Sequence, residues 1–332
     1  MTSSLIKATV VIPNWNGRQW LKGCLDALKN QDYNNFEVVL VDDASSDGSA
    51  EYVQVNYPDV KIVRRTQQGG FAKTANAGIR VASGEYVVLL NNDTIPSPSW
   101  LGRLIRVMDR MPPEVGSLAS CMKCMDDPEL IDSAGDVLTW YGQVLKRGNK
   151  RPVDELDCAG EILSACAGAA LYRHDLLQDV GGFDEEFSSY IEDIDLGLRG
   201  RLSGYTCVYV PNAEVLHKGH GSNIPPRKYV RLVTRNRLML LGKNIPLRLL
   251  VRHLHHIFIG QLVLSIQYGR PVDSIIGYLS LIPRIPYVIR ERRRILTGKM
   301  LTEKDIDGLL LLSPEGISLP GWYSGTKEKK RQ

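Results

Sequence analysis

The sequence predicts an α/β fold, a mostly parallel central sheet with flanking helices, followed by a C-terminal helical extension. Three observations predict it. Short β-branched runs recur through the N-terminal part of the chain, apolar at every position rather than at alternate ones, which is the pattern of strands covered on both faces. Between them apolar residues return at three- and four-residue spacing, the period of a helix with one buried side. From Ile245 onward the strand-type runs stop, and wide apolar stripes edged with arginine take over.

Thr9-Val10-Val11-Ile12, stopped by Pro13, reads as the first buried strand, and Trp20, Leu21, Cys24, Leu25 and Leu28 form a helical stripe after it. Glu37 to Val41 is the second strand. It runs into the turn-rich Asp42-Asp43-Ala44-Ser45-Ser46-Asp47-Gly48, and a short helix is expected from Ser49 with Ser46 or Asp47 as its cap. Val60 to Val63 is the third strand. Phe71, Ala75, Ile79 and Ala82 make the next helical stripe, and Tyr86 to Leu90 the fourth strand. Further on, Val115 to Met122, the small-residue run Leu163 to Ala170 and Tyr205 to Val210 also read as strands.

Composition narrows the function classes. The chain has 332 residues, 43% hydrophobic and 23% charged, with a formal net charge of +4. That balance excludes disordered and collagen-like chains, and the charge is too small to mark a nucleic-acid binder. Six scattered cysteines do not make a secreted disulfide framework. The pair Cys121 and Cys124 has redox or zinc spacing but lacks a second close pair, so a structural origin is expected. Met1 to Lys7 shows no basic stretch leading into an apolar core, so no signal peptide is expected, and no unbroken run of about 18 apolar residues marks a membrane span. The expectation is a cytosolic protein of the size of an enzyme.

In parallel sheets ligands sit at the carboxyl ends of the strands. Here those ends are Pro13-Asn14-Trp15-Asn16, Asp42-Asp43 and Asn91-Asn92-Asp93, all polar and two of them acidic. A dinucleotide-binding domain would place a glycine fingerprint after the first strand, where only Gly17 stands. Carboxylates at two strand ends would repel a bare pyrophosphate, so the pattern favours a metal–nucleotide site.

The ordered motifs Val10 to Gly17, Val41 to Ser49, Leu89 to Thr94, Val180 to Glu185, Tyr190 to Arg199, Gly204-Tyr205, Val210-Pro211 and His217-Lys218 resemble family 2 glycosyltransferases over about residues 7 to 240. The nearest likeness is to bacterial rhamnosyltransferases of O-antigen and cell-wall polysaccharide assembly. The resemblance implies a GT-A fold, a nucleotide-sugar donor, a divalent cation (Mn²⁺ or Mg²⁺) and inversion at the anomeric carbon.

It also implies roles, each beside a plainer reading. Asp42 and Asp43 would meet the nucleotide base above the Pro13-Asn14 turn, although short acids at strand ends often only satisfy turn amides. Asn91-Asn92-Asp93 occupies the place of the family's Asp-x-Asp motif but keeps one acid, so Asp93 is the charged metal ligand, with Asn91 and Asn92 on the donor. His217 is the candidate second protein ligand, against the plainer reading of a structural histidine. Lys73, at the head of the helix after Gly69-Gly70, is a candidate phosphate contact. The Glu192-Asp193 pair supplies the base, assigned to Asp193. The stripe Ile194, Leu198 and Leu202 would bury one helix face and leave these first-turn acids pointing out of the core, with capping as the plainer role of Asp193 and Asp195.

Residues 125 to 165, with Trp140-Tyr141 and several basic side chains, read as acceptor-side loops in which no single residue is assignable. The chain divides into a catalytic domain over 1–240 and a helical extension over 241–332 with a basic tail. The apolar stretches around Leu249 to Ile266 and Ile275 to Ile289, the second broken by Pro283 and Pro286 and ending in an arginine cluster, suit attachment to a membrane surface or packing on the catalytic domain or on a second copy in a homodimer. The function expected is sugar transfer, rhamnosyl first, to a lipid-linked glycan or polysaccharide acceptor. The alternatives are transfer of galactose, N-acetylglucosamine or mannose, and a non-catalytic sugar-binding scaffold.

Overall fold

The computed structural model describes residues 6–219 and 224–312. The strands and helices alternate as β1 (Ala8–Asn14), α1 (Arg18–Lys29), β2 (Phe36–Asp42), α2 (Ser49–Asn56), β3 (Lys61–Arg64), α3 (Phe71–Ile79) and β4 (Tyr86–Leu90). There follow β5 (Thr94–Pro96), α4 (Trp100–Met108), β6 (Val115–Cys124), β7 (Asp127–Ser133), β8 (Asp136–Leu138) and β9 (Val144–Lys146). Next come β10 (Gly160–Ile162), β11 (Ala169–Arg173), α5 (His174–Val180), α6 (Glu192–Leu202) and β12 (Thr206–His217). Six helices complete the described chain: α7 (Pro226–Asn244), α8 (Leu247–Arg252), α9 (Leu254–Gln267), α10 (Pro271–Leu279), α11 (Ile285–Thr297) and α12 (Glu303–Leu309).

The main sheet runs β10-β12-β6-β11-β4-β1-β2-β3, with β5 added to β12 and β7 to β6. Its β3-β2-β1-β4 half is parallel; β11 lies antiparallel between β4 and β6. Continuous apolar strands need cover on both faces, and the alternation of β1 shows it. Val10 and Ile12 pack with Leu21, Leu25 and Trp100 on one side, while Val11 packs with Ala72, Ala75 and Phe183 on the other. After β3 the chain crosses back to place β4 on the far side of β1, so a crevice opens at the carboxyl ends of these two strands.

Two local expectations need correction. The run Leu163 to Ala170 is not one strand. Residues 163–168 connect β10 to β11, because Ser164 and Gly168 spend their carbonyls on the amides of Asp136 and Asn91 instead of a ladder. The α2 N-cap is Gly48, at φ 75°, and Asp47 acts from one residue earlier by accepting from the Ser49 amide at 3.0 Å. Cys121 and Cys124 are buried free thiols on β6, as a structural origin requires.

A third cluster binds the C-terminal helices to the rest. Trp140 beyond β8, Ile194 and Leu198 of α6, Met239 and Leu240 of α7, and Ile257 and Ile306 from α9 and α12 share one buried core. The tail Lys327 to Gln332 lies outside the described residues.

Candidate active site

The end of β1 is held by a relay of amides. Asn92 Nδ2 donates to Asn14 Oδ1 at 2.7 Å, and Asn14 Nδ2 donates to Asp42 Oδ1 at 3.0 Å. The second oxygen of Asp42 accepts from the Ser45 amide at 3.0 Å, so this carboxylate braces the turn. Gly17 is required beneath it, since a Cβ there would collide with the Asn92 amide. Asp43 accepts from the Gly69 and Gly70 amides at 3.0 and 2.9 Å and pairs with Arg65 at 3.0 Å. It thereby ties the glycine loop, and Lys73 in the first turn of α3, to the strand end.

Asp93 and His217 do meet. β5 and the end of β12 pair with Thr94 opposite His217, which brings His217 Nε2 to 3.4 Å from Asp93 Oδ1. The other ring nitrogen, Nδ1, lies 2.8 Å from Asp132 Oδ2. Burial alone would lower the His217 pKa, but the hydrogen bonds to Asp132 and Asp93 outweigh it and raise the value to about 9. Burial likewise pushes the Asp132 carboxyl up, and His217 and Lys146 together hold it below the usual carboxylate range. Lys146 Nζ is 2.8 Å from Asp132.

The expected base sits in a second acidic group. Asp193, half-buried at the start of α6, has Oδ1 2.9 Å from the Ile194 amide. Its carboxylate, that of Asp136 and the Cys166 thiol have donor atoms within 4.8 Å of one another. Asp136 is 4% exposed and accepts from Ser164 Oγ at 2.9 Å. Burial and the Asp193 charge push its pKa well above the carboxylate range; burial also raises Asp193, against the amides of Ile194 and Ala167. Ile194, Leu198 and Leu202 are buried as the stripe requires. Glu192, however, does not point out of the core: it is 6% exposed, and its Oε2 has no hydrogen-bond partner among the described residues. Burial and Asp193 push its pKa well above the carboxylate range. Asp195 is no cap either. It is fully buried between Arg199 Nε at 2.8 Å, Lys243 Nζ at 3.0 Å and Asn244 Nδ2 at 2.8 Å.

Asp132, Asp136 and Lys146 escaped the sequence reading. They come from β7, whose run Asp127–Ser133 is mostly polar, and from the three-residue β8 and β9, none of which carries a periodic apolar signal. Only the basic side chains of residues 125 to 165, read together as acceptor-side with none assigned, hinted at a site.

A sheet of this order, with amide-braced strand ends and two acidic groups beyond them, is that of a GT-A glycosyltransferase. The chain belongs to glycosyl transferase family 2, whose family model matches residues 9–181. Among curated relatives it is 28% identical over 222 residues to the O-antigen biosynthesis protein RfbC of Myxococcus xanthus, covering 64% of this chain and 17% of that one. It is also 28% identical over 225 residues to an N-acetylglucosaminyl-diphospho-decaprenol L-rhamnosyltransferase of Mycobacterium tuberculosis, covering 58% of this chain and 70% of the relative. Among solved structures it resembles the Pyrobaculum calidifontis mannosyltransferase PcManGT in complex with GDP-Man and Mn²⁺, with TM-score 0.54, 20% identity and coverage of 88% and 83%. It also resembles GalNAc-T7 with UDP, GalNAc and Mn²⁺, with TM-score 0.55, 16% identity and coverage of 73% and 51%.

Proposed function

We propose that this glycosyltransferase is inverting and divalent-cation-dependent, and moves a sugar, rhamnose first, from a nucleoside diphosphate to a lipid-linked glycan or growing polysaccharide. The convergence of Asp93 and His217 from distant segments carries the reading. Pro13, Asn14, Asp42 and Asp43 would cradle the base and ribose, with Asn91, Asn92 and Lys73 toward the diphosphate. Asp93 and His217 fit a hard cation: with Nδ1–H donated to Asp132, a cation that displaced the Nε2 proton would meet that nitrogen and the Asp93 carboxylate together. A Mn²⁺ or Mg²⁺ ion there would neutralise charge on the departing diphosphate.

In the transfer, the acceptor hydroxyl oxygen forms the new bond to the anomeric carbon. The bond to the diphosphate oxygen breaks with its electron pair, and Asp193 takes the hydroxyl proton. Two carboxylates this close cannot both ionise at low cost. Asp136, the more deeply buried of the two, keeps its proton and leaves Asp193 charged for that task. Glu192 stays neutral beside them and positions rather than transfers.

The rhamnosyl assignment is supported by the mycobacterial relative, whose name also supplies the lipid-diphosphate acceptor class. The mannosyltransferase neighbour keeps another sugar in play. On this reading the reaction would run at the cytoplasmic face of a membrane, where such an acceptor would be met. A thermal-shift panel of nucleoside diphosphates and nucleotide sugars, each with Mn²⁺, Mg²⁺ or chelator, tests it. Stabilisation by one nucleotide sugar only with metal is expected; no metal-dependent shift with any of them overturns the reading.

A further inference from the structure

The C-terminal helices carry an apolar face that nothing among the described residues covers. Fifteen of the nineteen exposed large apolar side chains among the described residues lie between Leu247 and Ile289. In α9 the inward stripe is Ile257, Gly260, Gln261 and Leu264, yet the outward face is also apolar, with Phe258 70%, Leu262 55% and Ile266 68% exposed. A helix apolar all round normally has cover all round.

The next helix is inverted. In α10 the buried positions are Asp273, Ser274 and Gly277, and the exposed ones include Val272, Ile275, Ile276 and Leu279. The inward side is fixed to α7: Asp273 lies 2.8 Å from Arg231, and Gly277 sits so close to Arg231 and Thr234 that a Cβ would crowd them. Polar and small groups face the protein while branched aliphatics face outward, the reverse of a water-facing helix.

Charge names the occupant. Between 245 and 300 the chain has nine lysines and arginines against two acids. Both acids are neutralised at home, Asp273 by Arg231 and Glu291 by Arg294. Arg248 and Arg293 are exposed on α8 and α11, the helices that flank α9 and α10 in the chain. A second copy would set these cationic flanks against each other, whereas an anionic bilayer offers hydrocarbon to the centre and phosphate to the rim. By length and composition Pro271–Thr297 could cross a membrane. Its anchoring to α7, the 3₁₀ turn at Ile282–Arg284 and the arginines at 290 and 292–294 make it lie along the surface instead.

We propose that α9, α10 and the start of α11 form a docking face that seats in the headgroup region of an anionic lipid bilayer without spanning it. The proposal stands independently of which sugar is transferred.

The test uses the full chain and sedimenting vesicles, one set of phosphatidylcholine alone and one with phosphatidylglycerol added. Co-sedimentation with the anionic set, weakening as salt rises, is expected. The variant Phe258→Gln/Leu262→Gln/Ile275→Gln should bind at least a hundredfold more weakly, since each buried side chain is worth on the order of tenfold. Its melting temperature should be unchanged, because all three residues are exposed. The variant Arg248→Gln/Arg293→Gln should lose about fivefold per arginine on anionic vesicles. Equal binding to both vesicle sets overturns the charge argument, and resistance to alkaline carbonate extraction overturns surface seating in favour of a span. Failure to bind either set, with a dimer in light scattering that the glutamine variant dissolves, overturns the lipid and assigns the face to a second copy.

Discussion

Asp193→Asn separates chemistry from architecture within one turn of helix. Asparagine keeps an oxygen for the Ile194 amide, at 2.9 Å in the native chain, so the start of α6 should hold and stability should change by no more than about 1 kcal/mol. The lost proton acceptor should cost about 10²–10⁴-fold in turnover, roughly 3–5 kcal/mol in the barrier. Asp195→Asn, two residues on, should do the opposite. It removes the charge that Lys243 and Arg199 face inside the core, a change worth about 3–5 kcal/mol of stability. The assay is nucleoside diphosphate release from the nucleotide sugar that the thermal-shift panel selects, with donor affinity and melting temperature measured on both variants. Collapsed turnover with unchanged donor affinity and melting temperature is expected for Asp193→Asn. Near-normal turnover in that variant would refute the assignment of the base.

Asp93→Ala should abolish the gain in donor affinity that Mn²⁺ gives, seen by calorimetry with and without metal. Asp132→Asn should weaken Mn²⁺ binding about 10–100-fold with the fold intact, because His217 loses the partner that aims it. Asp136→Asn, a permanently neutral isostere, should keep turnover near neutral pH, because the amide replaces a carboxyl proposed to hold its proton; lost turnover with an unchanged melting temperature would contradict proton-holding by Asp136. In Asp195, burial opposes ionisation but Lys243 and Arg199 outweigh it and hold the pKa at about 2. Its stabilising contribution is therefore complete above about pH 4, the unfolded value, and lost as pH falls toward 2; acid titration of Asp195→Asn should lack that component. Deleting residues from 245 onward would strip Ile245, Leu249, Ile257 and Ile306 from the third core cluster, so loss of soluble folded protein is expected rather than a released catalytic domain.

The parallel half of the sheet was legible because each strand is written locally: β1, β2 and β4 are β-branched runs with turn residues at their ends. The strand-end acids were legible for the same reason. Asp93 with His217 came from a resemblance, since no spacing rule joins positions so far apart. Asp132, Asp136 and Lys146 were illegible. β7 is polar along most of its length, β8 and β9 are three residues each and form a small sheet of their own, and tertiary contact sets where they lie. Asp195 misled for a related reason: a first-turn acid looks like a cap until α7 supplies Lys243 and Asn244. The outward face of α10 was hidden too, because an apolar stripe does not say which side meets the protein.

The β8–β9 hairpin has a consequence for anyone who would recombine this enzyme with its relatives. Its open end carries Asp136 and Lys146, which serve the two acidic groups. Just past β8, Trp140 stacks on His253 with ring centres 3.8 Å apart, and the Tyr141 carbonyl accepts from Gln261 of α9 at 3.2 Å. Three-residue strands span only about 10 Å, so one rigid piece touches both the reacting groups and the last helices. The C-terminal helices are therefore no interchangeable module. A chimera cut after α7 would graft a foreign α9 onto a native hairpin tip, and the misfit would surface at Asp136. The hairpin and the helices beneath its tip must be inherited together.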